Sequence, residues 1–291
     1  MTYRVLPESL RPTADLVQKY MKGKGLSKIH IEEPIDEALD FSPTLSCRRA
    51  DHHFECVEVS ETIRTSPMPS FVLQCQLQHT PVLLSVALPA NSDYPDFRRD
   101  LKWAKDVGIG VLEVNHETSK VASISRPLSL SLTGLSRVDM RKYPAKYRQA
   151  ISDAEETFLG GNPPKACSMV YDEIEAITRR IAYKTHMQGL WSKSISDPGS
   201  MKEKMPWSSV LNALKSNLDR RAAMSSGKNL GSLSDPLLSR TIGITPYRNQ
   251  SGHKPKSLRD LVARDSALRT RMEDAVNLLL ELIIASKCLR V

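Results

Sequence analysis

The stretch FRRDLKWAKDVGIGVLEV, residues 97–114, decides how the first half of the chain is read. Phe97, Leu101, Ala104 and Val107 recur at helical spacing and predict an amphipathic helix over 96–107, which Gly108 stops. Ile109 to Val114 then reads as a short apolar strand of the kind buried in a parallel sheet. A helix running at once into such a strand belongs to an α/β fold.

The residues upstream agree with that reading. Ala14, Leu16, Val17, Tyr20 and Met21 form a helical stripe closed by Gly23 and Gly25. Residues 41–47 and 54–59 (FECVEV) read as strands joined by a polar turn at 48–53, and further strands are expected at 71–76 and 81–88. This α/β domain spans 1–125. A polar connector over 126–144 contains Pro127 and Gly134, although Leu128, Leu130 and Leu132 alternate as an edge strand would. From Pro144 the period changes, with helices expected at 147–159, 166–186, 207–223, 236–242 and 258–286, the last with a break near Asp265. Residues 145–291 are thus an all-α bundle.

A length of 291 residues suits two domains, and a hydrophobic content of 40% with 25% charge suits a soluble globular protein. The cysteines (Cys47, Cys56, Cys75, Cys167, Cys288) are scattered without zinc-ligand spacing, which points to a reducing, cytoplasmic setting. The N-terminus lacks the apolar run of a signal peptide, and the apolar stretch at 278–286 is too short for a membrane span. Charge is distributed unevenly. Residues 1–125 carry 14 Lys/Arg against 17 Asp/Glu, whereas 126–291 carry 27 against 16. A basic C-terminal half is suited to a polyanion, and equally to a solvated basic surface.

Within that half stands YRNQSGH, residues 247–253. Histidine exchanges a proton near neutrality, and arginine keeps a planar fork of donors matched to phosphate oxygens, so Arg248 and His253 are a candidate pair for phosphodiester chemistry. Spacing alone is weak, because a solvated basic turn gives the same pattern. Arg180 and His186 also satisfy it, mid-helix, and are expected on a solvated or dimer-facing edge. Trp191 and Trp207 are expected as core or helix-end anchors, and an aromatic content of 5% offers no evident base-stacking surface.

Two families are resembled. The first half is similar to the PD-(D/E)XK, restriction-endonuclease-like fold, in which Pro-Asp opens one strand and Glu-x-Lys lies on the next. The matching positions here are Pro43-Thr44 and Glu58-Val59-Ser60. Thr44 replaces the metal-binding acid and Ser60 the lysine, leaving only Glu58, so the resemblance implies a degenerate domain used for binding or sensing. Asp40, Asp51 or Glu55 as displaced ligands would keep a metal-dependent DNA nuclease open. His52 and His53, in a turn, are expected to be exposed.

The second half resembles the HEPN superfamily, whose signature is an arginine followed after four to six residues by a histidine, here Arg248-Asn249 and His253. That resemblance implies a metal-independent ribonuclease of toxin or defence type needing no cofactor, acting as a homodimer or larger assembly with a regulatory protein or nucleic-acid trigger. His253 would be general acid or base, Arg248 would stabilise the phosphorane charge, and Asn249 would orient the histidine or a phosphate oxygen. Lys254, Lys256 and Arg259 would hold the RNA backbone, and Glu173 or Glu175 would support Arg248. The rival expectation is a non-catalytic dimeric nucleic-acid-binding or regulatory protein.

Overall fold

The computed structural model describes residues 3–37, 39–90, 92, 94–133, 137–225, 233–248 and 255–289. It divides into two compact units, one comprising Met1–Ser136, Leu159–Gly161 and Lys254–Arg264, the other Arg137–Phe158, Asn162–His253 and Asp265–Val291.

The first unit runs α1 Arg11–Gly23, β1 His30–Ile31, β2 Leu45–Arg48, β3 Phe54–Val59, α2 Met68–Leu77, β4 Val82–Pro89, α3 Phe97–Val107, β5 Gly110–Asn115, β6 Lys120–Ser125 and α4 Leu130–Thr133. The six strands lie side by side in chain order. β1, β2 and β3 are antiparallel, β3, β4 and β5 parallel, and β6 returns antiparallel. Parallel neighbours need a crossover, and α2 and α3 supply the two. Both pack on one face, where Phe71, Val72, Cys75 and Ala104 meet Cys56, Leu84, Val86, Leu88 and Val111. α1 covers the other face through Ala14, Val17 and Met21 against Leu45, Val57, Val59, Ala87 and Val114. β4 is therefore buried on both sides. Gly108, at φ 87°, ends α3 in the left-handed conformation that a side chain resists.

One expected strand is a helix. Over 71–76 the apolar residues alternate, yet the buried set is Met68, Phe71, Val72 and Cys75, at helical spacing, while Leu73 and Leu77 face outward. The need for a β3-to-β4 crossover overrides the alternation. The stretch 128–132 is likewise not a strand. Leu130 and Leu132 are buried in α4, with one isolated bridge between Ser129 and Leu83.

The second unit is built of helices: α5 Ala145–Leu159, whose last residue belongs to the first unit, α6 Pro163–Met187, α7 Ser200–Glu203, α8 Trp207–Asn217, α9 Arg220–Ser225, α10 Asp235–Ile244 and α11 Leu258–Cys288. The first residues of α11 belong to the first unit and those from Asp265 onward to the second. Asn162 caps α6 by accepting from the Lys165 N–H, and Pro163 and Pro164 occupy positions that need no N–H. Val170, Tyr171, Ile174, Ile177, Ile181 and Ala182 form its buried stripe. On the same face Thr178 and Thr185 donate to carbonyls one turn back and accept the indole N–H of Trp207 (3.0 Å) and Trp191 (2.9 Å). Both tryptophans are thereby core anchors, as expected. Arg269 of α11 and Glu155 of α5, side chains 8% and 5% exposed, form a buried ion pair at 3.1 Å.

Two helices differ from expectation. The single helix expected over 207–223 is divided at Leu218, whose extended backbone bridges to Trp191. No break occurs near Asp265, where α11 continues while passing from one unit to the other. Among the described residues no helix is long and apolar enough to cross a membrane.

Candidate functional site

Arg248 follows the 3-10 turn Thr245–Tyr247 that ends α10. Its Nε donates to Asp172 Oδ1 at 3.1 Å, and its Nη1 is paired with Glu175 Oε2. Asp172 and Glu175 are three residues apart on α6 and so project to one side. Their environments differ: the Asp172 side chain is 57% exposed, that of Glu175 only 9%. Glu175 is shared, since its Oε1 accepts from Arg179 Nε at 2.7 Å. Arg179 is in turn held by the carbonyls of Met201 (2.8 Å) and Met205 (2.9 Å). The network fastens the segment at Arg248 to the central helix of its unit. A guanidinium has five N–H donors, of which the two carboxylate contacts engage Nε and Nη1, on a side chain 37% exposed. Beside it Tyr247 packs its ring under the Arg271 guanidinium, 4.3 Å from the ring centroid.

Asn249, His253 and Lys254 lie outside the described residues. Lys256 and Arg259 are exposed and belong to the first unit, whereas Arg248 belongs to the second. No family model, curated protein or solved structure matches the chain. The expectation for Glu175 as a carboxylate supporting Arg248 agrees with the geometry. Asp172 was not singled out in the sequence; its only signal was the i,i+3 relation to Glu175.

His186 departs from the expected outward edge. Its Nε2 accepts the Ile195 N–H at 3.1 Å and its ring stands edge-on to Trp191, so it organises the loop after α6. Arg180 is exposed, as expected.

In the first unit, Thr44 and Glu58 meet across the β2–β3 pair. Thr44 donates both its N–H and its hydroxyl to Glu58 Oε2 at 2.9 Å, while its hydroxyl oxygen accepts the Val59 N–H at 3.1 Å. Desolvation raises the Glu58 pKa, the Thr44 bonds oppose this and Glu32 adds to it, with a net upward shift. Glu32 itself is bound by the N–H groups of Arg4, Val5 and Leu6. The candidate displaced ligands are engaged elsewhere. Asp40 accepts from Gln74, Asp51 and Glu55 pair with Arg49, and Glu55 falls on the opposite face of β3 from Glu58. Among the described residues no three His, Cys, Asp or Glu side chains converge to hold a metal ion. A hard divalent cation needs several oxygen ligands, which this donor set does not supply.

His53, expected to be exposed, is 1% exposed. Its Nδ1 lies 3.3 Å from Asp51 Oδ1, and its ring faces Gly161, where an added Cβ would sit 2.9 Å from Nε2. Burial would raise the Asp51 pKa, but the His53 hydrogen bond and the charges of His53 and Arg49 outweigh it and bring it down to about 2. His52, at φ 69°, reaches Arg48 and the Pro255 carbonyl, 3.0 Å each. No sequence signal distinguished the two histidines, because their difference depends on Gly161, more than 100 residues away.

Cys47, Cys75 and Cys167 are buried and offer no nucleophile. Burial pushes the thiols of Cys47 and Cys167 up to about 11 and that of Cys75 to about 12, so they stay protonated at neutral pH.

Proposed function

We propose that the second unit is a metal-independent ribonuclease of HEPN type, with Arg248 and His253 as its reacting pair and a second copy of the chain completing the cleft. The observation that carries this reading is the anchoring of Arg248 on α6: an arginine held by Asp172 and Glu175, its side chain 37% exposed, is a preorganised cation for a phosphate oxygen. In the reaction, His253 removes the proton of a 2′-hydroxyl, whose oxygen attacks phosphorus. The bond to the 5′-oxygen breaks, that oxygen is protonated by the partner copy's imidazolium or by water, and a 2′,3′-cyclic phosphate remains. Acid–base assistance of this kind contributes about 10²- to 10⁴-fold. Asn249 orients the imidazole or a phosphate oxygen.

The first unit, in this proposal, is a degenerate PD-(D/E)XK-like domain that senses or regulates. Thr44, immediately before β2, and Glu58 on the neighbouring β3 support the resemblance, and Thr44 donating to Glu58 supports a domain without metal chemistry. A second reading, in which the whole protein is a non-catalytic nucleic-acid-binding or regulatory subunit, is favoured by one feature: two carboxylates offset the charge that Arg248 would bring to a transition state. The experiment that separates them is cleavage of labelled RNA pools in EDTA by wild type, Arg248→Ala and His253→Ala. Cleavage by wild type that both substitutions abolish upholds the ribonuclease; cleavage that survives His253→Ala refutes it.

A further inference from the structure

Along α6, one turn beyond Glu175, a groove of about 650 Å³ opens between α6 and α7, lined by Ala176, Arg179, Arg180, Tyr183, Lys184 and Lys202. Its ionisable lining is wholly basic, tyrosine aside. Arg179 is compensated by Glu175 and two carbonyls and serves as a fixed wall. Arg180, Lys184 and Lys202 are exposed and have no carboxylate partner among the described residues; Lys202 instead lies 4.1 Å above the Tyr183 ring centroid. Arg180 and Lys184 are one helical turn apart, about 6 Å between their Cβ atoms. A row of cations at that interval suits a ligand with repeated charges along its length. Four of the 27 Lys/Arg of residues 126–291 (Arg179, Arg180, Lys184 and Lys202) line this concave surface.

We propose that this groove binds the phosphodiester backbone of single-stranded RNA, with Arg180, Lys184 and Lys202 each neutralising a phosphate and the Tyr183 edge bordering the sugar or base. The site makes backbone contacts that position a strand without reading its sequence. It deepens the ribonuclease reading, since Arg248 is tied to the same helix one turn away, and would place the strand that His253 cuts.

The test is binding of a fluorescein-labelled 15-nucleotide oligouridine to full-length His253→Ala protein in EDTA, followed by anisotropy from 50 to 300 mM chloride. The comparison is the same protein carrying Arg180→Gln, Lys184→Gln and Lys202→Gln. All three side chains are at the surface, so the thermal midpoint of the variant should match its parent. Loss of three single-strand phosphate contacts lowers the slope of log K against log salt by about 2 and weakens binding about 100-fold at 0.1 M salt. An unchanged slope, or no binding by the parent, overturns the proposal. So does complete displacement of the strand by inorganic phosphate at constant ionic strength, which would make the ligand a single phosphate. Groove-dependent binding without cleavage by the wild type removes the Arg248/His253 chemistry alone; cleavage with an unchanged slope removes the groove alone.

Discussion

Glu175→Gln is the substitution through which the second unit's stability and its candidate chemistry can be read together. The carboxylate is buried and compensates Arg179 and Arg248 at once. The amide still accepts from one arginine, but its NH₂ faces the other, donor against donor. Removing one member of a buried ion pair costs about 3–5 kcal/mol, and because Arg179 keeps its two carbonyl acceptors the lower end, about 3 kcal/mol, applies. Asp172→Asn, at a side chain 57% exposed, should cost under about 1 kcal/mol. Trp191 and Trp207 are both in this unit and both hydrogen-bond to α6, so with Trp103→Phe in the first unit the indole fluorescence reports the second unit alone. At a urea m-value of about 2 kcal/mol/M, Glu175→Gln moves the midpoint down by about 1.5 M and Asp172→Asn by less than about 0.5 M. Equal shifts for the two would refute the reasoning that Glu175 is the buried hub.

Three further outcomes follow from the first unit. Gly161→Ala forces a side chain onto φ 84° and into His53, and should lower stability by about 2–4 kcal/mol, measured by chemical unfolding. Glu58 has a raised pKa, so its contribution to stability is fully present below its unfolded pKa and declines as pH rises through the folded value. Glu58→Gln, whose carbonyl can still accept from Thr44, should raise the melting temperature at pH 7–8 and leave it unchanged near pH 4, scored by thermal scans across that range. Asp51 has the opposite sign. Its pKa is lowered to about 2, so its contribution is present above the unfolded value and disappears as pH falls from about 4 toward 2; Asp51→Asn should cost about 1 kcal/mol at pH 7, discounted for a side chain 36% exposed, and flatten that acid limb.

What could be read in the chain beforehand was local. The alternation of FECVEV, the stripe of α3 and its closing glycine, and the buried face of α6 each lie within a few residues of one another, and each has the form the sequence implied. The misreadings were topological. Residues 71–77 satisfy both a strand period and a helical one, and only the parallel pairing of β3 with β4 decides between them. Leu130 and Leu132 alternate as in a strand but fill one turn of helix. The candidate site was legible to the same extent. Glu173 or Glu175 was expected to support Arg248, and Glu175 is the one that does, while Asp172, the burial of His53 and the Thr44–Glu58 bond depend on contacts between distant segments that no spacing rule encodes.

The central claim is metal-free phosphodiester chemistry by Arg248 and His253, and the chemical identity of the cut ends tests it most directly. RNA incubated with the full chain in EDTA should yield fragments bearing 2′,3′-cyclic phosphates and free 5′-hydroxyls, absent with Arg248→Ala and with His253→Ala. Fragments with 5′-phosphates and 3′-hydroxyls, or cyclic ends that persist without His253, would contradict it.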